Sequence, residues 1–304
     1  MPQTYRPQQP ARARRFTLRG LSTHLLEWGE PTPERPTLVL THGWMDVAAS
    51  FQFLVDALAA LDPRPWHIVA PDWRGFGRSS ATGADSYWFA DYLGDLDALL
   101  HALSPERPVD LLGHSMGGNV VMSYAGVRPT RIRRLVNLEG FGLPESRPEE
   151  APTRLARWLD ELRTPMDLKD YDSAEAVAAR LLKNNPRLRP DRAAWLARQW
   201  AAPDAAGRWR ILADPAHKRI NPVPYRVDEV LATWRAITAP VLWVEARHSQ
   251  PEAWWGGRYS RAEFHRRLAV VPDHRCEVVE EAGHMLHHDQ PEALAALLAR
   301  FLLT

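Results

Sequence analysis

The stretch VDLLGHSMGGNVV sets Ser115 in the pattern Gly113-His114-Ser115-Met116-Gly117, between an apolar run and a helix-length segment. A serine on a sharp strand-to-helix turn presents its hydroxyl for nucleophilic attack, and the turn crowds its two arms so closely that residues two positions away must be small. Gly113 and Gly117 meet that steric need, and Gly118 adds a third small residue next to them. A hydroxyl attacks a carbonyl only once a base takes its proton, and the base is normally a histidine held by a carboxylate. His284, in EEAGHMLHHDQPEALA, follows the last strand-like run and precedes the last helical one, so it is the expected base. His287 and His288 raise the alternative of a metal held with His284, but no acidic cluster of suitable spacing accompanies them, and the expectation is neither metal nor cofactor.

Attack on a carbonyl also builds an oxyanion, which needs about two backbone N–H donors. Met116, directly after the serine, supplies one, and Trp44 in the run Thr41-His42-Gly43-Trp44 supplies the other. His42, Gly43 and His114 are expected beside the substrate, whereas His248 and Ser249 read as rim residues near Glu139. Asp46 stands where it can cap a helix beginning near Val47, and Asp72 in PDWRGFGRSS reads as a turn-former.

The elements that must position these groups alternate along the chain. TLVLTH (37–42), WHIVAPD (66–72), VDLLGHS (109–115), RRLVNLEG (133–140), PVLWVEA (240–246) and RCEVVEE (275–281) are strand-like, and amphipathic helical segments separate them. Near-continuous Val, Leu and Ile in these runs suits a mostly parallel sheet covered on both faces. Pro291 opens the last helix. Residues 142–236 interrupt the alternation with helical patches and no convincing strand, so they are expected to form a helical cap inserted into a core of residues 15–141 and 237–304. Such an insertion lies over the C-terminal edge of the sheet, where open α/β folds bind ligands.

Bulk properties narrow the classes. The 304 residues carry a formal net charge of +1, which gives no field to draw the chain onto nucleic acid or an anionic membrane. The partner expected is a small-molecule substrate. Cys276 is the only cysteine, consistent with a reducing cytoplasm, and no apolar run approaches the roughly 20 residues of a membrane span. The first 14 residues, rich in Pro, Gln and Arg, read as a flexible tail.

His42-Gly43, the run Asp72 to Ser79, Gly113 to Gly117 and Gly283-His284 together resemble the α/β-hydrolase superfamily from about residue 16 onward. Within it, HGWMDVAASF (42–51) and RLLKNNPRL (180–188) resemble the serine-hydrolase-like branch. The resemblance implies an eight-stranded, mostly parallel sheet with a cap after strand six. It also implies an orienting acid, which many members carry after strand seven. Here that loop reads Glu245-Ala246-Arg247-His248-Ser249, with no Asp. Members of the serine-hydrolase-like branch carry the acid after strand six, which points to Glu139, with Glu245 as the alternative. Glu139 directly follows an apolar run and precedes Gly140 and Gly142.

The chemistry implied is ester hydrolysis through an acyl-enzyme on Ser115, with activity rising through roughly pH 6 to 7 as His284 becomes neutral. Thioesterase, lactonase and cofactor-free perhydrolase reactions use the same residues, and a non-catalytic ligand-binding protein is a more remote alternative. A serine nucleophile argues against dehalogenase and epoxide-hydrolase chemistry, for which related families place Asp here. Trp158, Trp195, Trp200, Trp209, Trp234, Trp254 and Trp255 favour an apolar acyl or aromatic substrate.

Overall fold

The computed structural model describes residues 4–62 and 64–303. Eight strands form one sheet: β1 (Arg12–Leu18), β2 (Leu21–Trp28), β3 (Leu38–Thr41), β4 (Ile68–Pro71), β5 (Val109–His114), β6 (Ile132–Leu138), β10 (Val241–Ala246) and β11 (His274–Val279). Their order is β1-β2-β4-β3-β5-β6-β10-β11. β1 pairs antiparallel with β2 and β2 with β4, and every later pair is parallel.

Successive side chains of each central strand enter opposite cores, as the two-residue period of a strand requires. Val39, Val69, Leu111, Leu135 and Trp243 pack under α2 (Phe89–Leu103), α3 (Met116–Val127) and α9 (Arg261–Leu268). Leu40, Ile68, Leu112, Val136 and Val244 pack under α1 (Gln52–Leu61) and α11 (Pro291–Leu302). The sheet is thus covered on both sides, and the functional loops gather at the C-terminal tips of β3, β5, β6, β10 and β11.

Between β6 and β10 lie α4 (Ala151–Leu162), α5 (Ala174–Asn184), α6 (Pro190–Trp200) and α7 (Val227–Arg235). The expectation of a segment without strands fails here. Three short strands, β7 (Asp170–Tyr171), β8 (Ala201–Pro203) and β9 (Trp209–Ile211), form a separate sheet of order β7-β9-β8. At two or three residues each they are too short to show a period-2 pattern. Val177, Leu181, Leu188, Ala193 and Leu196 of this segment build a third core around Phe53 of α1.

The expected N-terminal tail is also corrected, apart from residues 1–3, which lie outside the described residues. The Tyr5 hydroxyl and the Gln8 and Gln9 main-chain N–H groups all donate to the Asp56 carboxylate of α1, and the Tyr5 ring packs edge-on to Phe53 at 4.8 Å. Asp56 is buried and needs donors, which this segment provides. Beyond β10 lie two further short helices, α8 (Pro251–Trp254) and α10 (Leu286–Asp289).

Candidate active site

The turn between β5 and α3 holds Ser115 at φ 53° and ψ −116°, a strained conformation for a residue with a Cβ. Its neighbours make that turn possible. A Cβ on Gly113 would run into the Gly117 carbonyl, and one on Gly117 would meet the carbonyls of Thr41 and His42 at the tip of β3. The turn therefore sets the serine directly beside the loop after β3. Ser115 Oγ lies 3.0 Å from His284 Nε2, and His284 Nδ1 faces Glu139 Oε2 at 3.2 Å. With the Nδ1 proton toward the carboxylate, Nε2 is left as the acceptor for the serine proton. This chain of groups can move a proton off the hydroxyl during attack.

Glu139 follows β6 at φ 58°, outside the region most side chains prefer. Asn137 stabilises the turn: its Oδ1 accepts from Gly140 N at 2.9 Å and its Nδ2 donates to the Gly140 carbonyl at 3.2 Å. Glu139 is 1% exposed. Burial pushes its pKa up to about 8, against the opposing pull of donors from Ser249 and Ala246 and of the Arg261 charge. His284 keeps 30% of its side chain exposed, yet the surrounding protein pushes its pKa down to about 4 and favours the neutral ring.

Glu245, the alternative acid, points elsewhere. Its carboxylate accepts from Trp243 Nε1 (3.0 Å) and pairs with Arg261 (2.7 Å) and His265 (3.0 Å).

His42 and His114 require correction as substrate contacts, since both are buried and the His42 ring is turned to main chain. Trp73 N–H donates to His42 Nε2 (3.0 Å), so the proton sits on Nδ1, which donates to the Gly43 carbonyl at 2.8 Å. In a trans peptide the N–H of Trp44 then points away from that carbonyl. His42 thereby orients one of the two donors expected at the oxyanion. The other, Met116 N–H, opens α3 and has no acceptor within the helix. Gly43 does border the nucleophile, because a Cβ there would stand 3.1 Å from Ser115 Cβ.

His114 Nε2 donates to the His284 carbonyl at 2.8 Å and so braces the loop that carries His284. Its Nδ1, both ring nitrogens of His287 and Asp46 Oδ2 are buried without a hydrogen-bond partner. Asp46, His114 and His287 bring one donor atom each within 4.8 Å of one another, the grouping among the described residues that could hold a cation. This trio differs from the His284, His287 and His288 set weighed from the sequence, because residues far apart along the chain compose it. Asp46 Oδ1 also accepts from Trp200 Nε1 (2.8 Å), which ties the segment between β6 and β10 to the loop after β3. His248 is exposed, 3.8 Å from Glu281, and the rim expectation for Ser249 is corrected: it is buried and donates to Glu139.

Two exposed tryptophans flank the site. Trp44 is 52% exposed and its indole donates to the His217 carbonyl, while Trp254, 44% exposed, packs edge-on to the His284 ring at 4.5 Å. Trp234, by contrast, is buried in the core.

The chain is similar to the serine hydrolase-like protein of Danio rerio, with 27% identity over 289 residues, or 90% of this chain and 83% of that protein. It is 28% identical over 241 residues to a 3-hydroxybutyrate-oligomer hydrolase of Cupriavidus necator, covering 73% of this chain and 75% of the relative. Among solved structures, a thioesterase domain from the curacin biosynthetic pathway superposes with a TM-score of 0.82 at 26% identity, covering 95% of this chain and 99% of that one. The family model for the α/β hydrolase fold matches residues 36–291, so with this sheet order the chain belongs to the α/β-hydrolase family and is a hydrolase.

Proposed function

We propose that this hydrolase cleaves a carboxylic ester of a small, largely apolar substrate through an acyl-enzyme on Ser115. The observation that carries the reading is the continuous hydrogen-bond chain from Ser115 through His284 to Glu139. Ser115 Oγ attacks the carbonyl carbon as His284 Nε2 takes its proton, and the N–H groups of Trp44 and Met116 stabilise the oxyanion. Collapse of the tetrahedral intermediate expels the alcohol, which takes the proton from His284. Water then attacks the acyl-enzyme, giving one proton to His284, and the acid departs as that proton returns to Ser115. Glu139 holds the imidazole and stabilises its charged form throughout. Residues 142–236 act as a cap, and Trp44 and Trp254 at the mouth favour an apolar acyl or aromatic group over a charged one.

A thioester is the second reading, favoured by the structural likeness to a thioesterase domain. The same steps serve it, with a thiol leaving instead of an alcohol. A panel of p-nitrophenyl esters of increasing chain length, run beside acyl thioesters with Ser115→Ala as blank, separates the two. Ester turnover that dominates and vanishes in Ser115→Ala supports the first reading; equal activity in that variant removes both.

A further inference from the structure

We propose that Ser249 is a positioning residue for the acid: its hydroxyl, anchored through Arg261, holds Glu139 as a carboxylate aimed at His284. The inference rests on the triad reading above and extends it to the loop after β10.

That loop carries no Asp, and its polar groups turn instead to the carboxylate at the end of β6. Residues 246–249 form a tight turn, with Ser249 N–H donating to the Ala246 carbonyl at 3.2 Å. The turn presents two donors to one carboxylate: Ala246 N–H reaches Glu139 Oε1 at 2.7 Å, and the Ser249 hydroxyl reaches Oε2. Oε2 is the oxygen that faces His284 Nδ1. Both residues are buried. The turn is in turn fixed from α9, because Arg261 donates to the Ser249 carbonyl at 2.7 Å and to Glu245 at 2.7 Å. Glu245 is thereby recast as the anchor of the arginine that anchors the serine.

A carboxylate removed from water keeps its charge only through the donors around it. The charged and titratable groups nearest Glu139 are His284 on the loop before α10, Glu245 on β10 and Arg261 on α9, with His265 against Glu245. Burial already raises the Glu139 pKa, and the Ser249 hydroxyl is the largest influence that lowers it. Without that hydroxyl the carboxyl retains its proton to higher pH and does not accept from the imidazole.

The test is the pH profile of kcat for p-nitrophenyl acetate between pH 6 and 10 in Ser249→Ala, Ser249→Cys and Ser249→Thr, with Ser115→Ala as blank. The cysteine variant keeps the branching and number of heavy atoms, with a somewhat larger sulfur, but offers a weak donor, and the threonine variant keeps the hydroxyl. The alanine and cysteine variants are expected to lose about tenfold or more at pH 7, with the midpoint of the rise moved up by about one pH unit, so that the deficit shrinks toward pH 10. The threonine variant is expected to restore the wild-type midpoint. Profiles that fall in parallel at every pH, no loss at all, or loss of folding in the cysteine variant would each overturn the assignment. Should Ser115→Ala stay active, it is the triad reading that fails; should it be inactive while the Ser249 profiles run parallel, only the role of Ser249 falls.

Discussion

Glu139 Oε2 faces His284 Nδ1 at 3.2 Å, while Glu245 on the adjacent strand is occupied by Arg261 and His265. The carboxylate that faces the imidazole is thus carried by β6, and the end of the neighbouring strand and its loop contribute the donors that hold it. Replacing Glu139 by Ala is expected to lower kcat by about 10⁴-fold, the scale seen when a triad loses its orienting acid. Steady-state kinetics on Glu245→Ala should show a loss of less than about tenfold, reflecting a loosened anchor. The reverse ranking would move the acid to Glu245.

The pH response follows from the burial of the pair. Burial pushes Glu139 up to about 8 and His284 down to about 4, so it favours the neutral form of each, and the two titrate as a pair. Activity requires a neutral imidazole beside an ionised carboxylate, so it should climb as pH rises from 6 to 9. This places the rise above the range of roughly 6 to 7 expected from an ordinary histidine. A plateau already complete at pH 6.5 in the kcat profile would contradict it.

Asp72 tests the scaffold independently of catalysis. Its buried carboxylate accepts from His24 (2.7 Å), Ala48 N–H (2.8 Å) and Arg78 N–H (2.8 Å), joining β2, the loop after β3 and the turn after β4. Burial alone would raise its pKa, but the bond from His24 and the surrounding donors hold it below the ordinary value. A depressed folded-state pKa means this stabilisation is present above the unfolded carboxyl value near 3.8 and is lost as pH falls through the folded one. Urea denaturation of Asp72→Ala should show a loss of about 3 kcal/mol at pH 7, shrinking as pH falls below about 4. An unchanged midpoint would reduce Asp72 to an ordinary turn residue.

Trp254 is exposed and packs edge-on against the His284 ring. Its replacement by Ala should lower kcat/KM for a hexanoate ester by about tenfold and for an acetate ester much less, because aromatic burial scales with the apolar area covered. Equal losses on both esters would mean that Trp254 supports the His284 ring and does not read the substrate.

Much of this site was legible because strand-tip chemistry needs particular residue types in particular places. The Gly113 to Gly117 turn and His284 after β11 announce themselves by local steric and chemical requirements, whereas Glu139 was legible only through the resemblance to the serine-hydrolase-like branch. Other features depend on partners distant in sequence. β1 carries four exposed residues, Arg12 to Arg15, at its start and so reads as a charged tail, although its backbone pairs along β2 and residues before it are fixed by Asp56. His114 looks like a pocket residue because it neighbours Ser115, but β5 alternation turns its ring inward onto the His284 loop. The bridge from Trp200 to Asp46 spans 154 positions and the bond from Ser249 to Glu139 spans 110. No periodicity or motif encodes such meetings; they follow from how neighbouring strands end.

The most direct measurement is labelling of the folded protein with a fluorophosphonate probe, followed by peptide mass spectrometry. The triad predicts one adduct, on the peptide containing Ser115, formed in step with loss of hydrolysis and slowed by about a hundredfold or more in His284→Ala. Absence of any adduct on folded wild-type protein, or loss of hydrolysis with Ser115 left unmodified, would contradict Ser115 as the nucleophile.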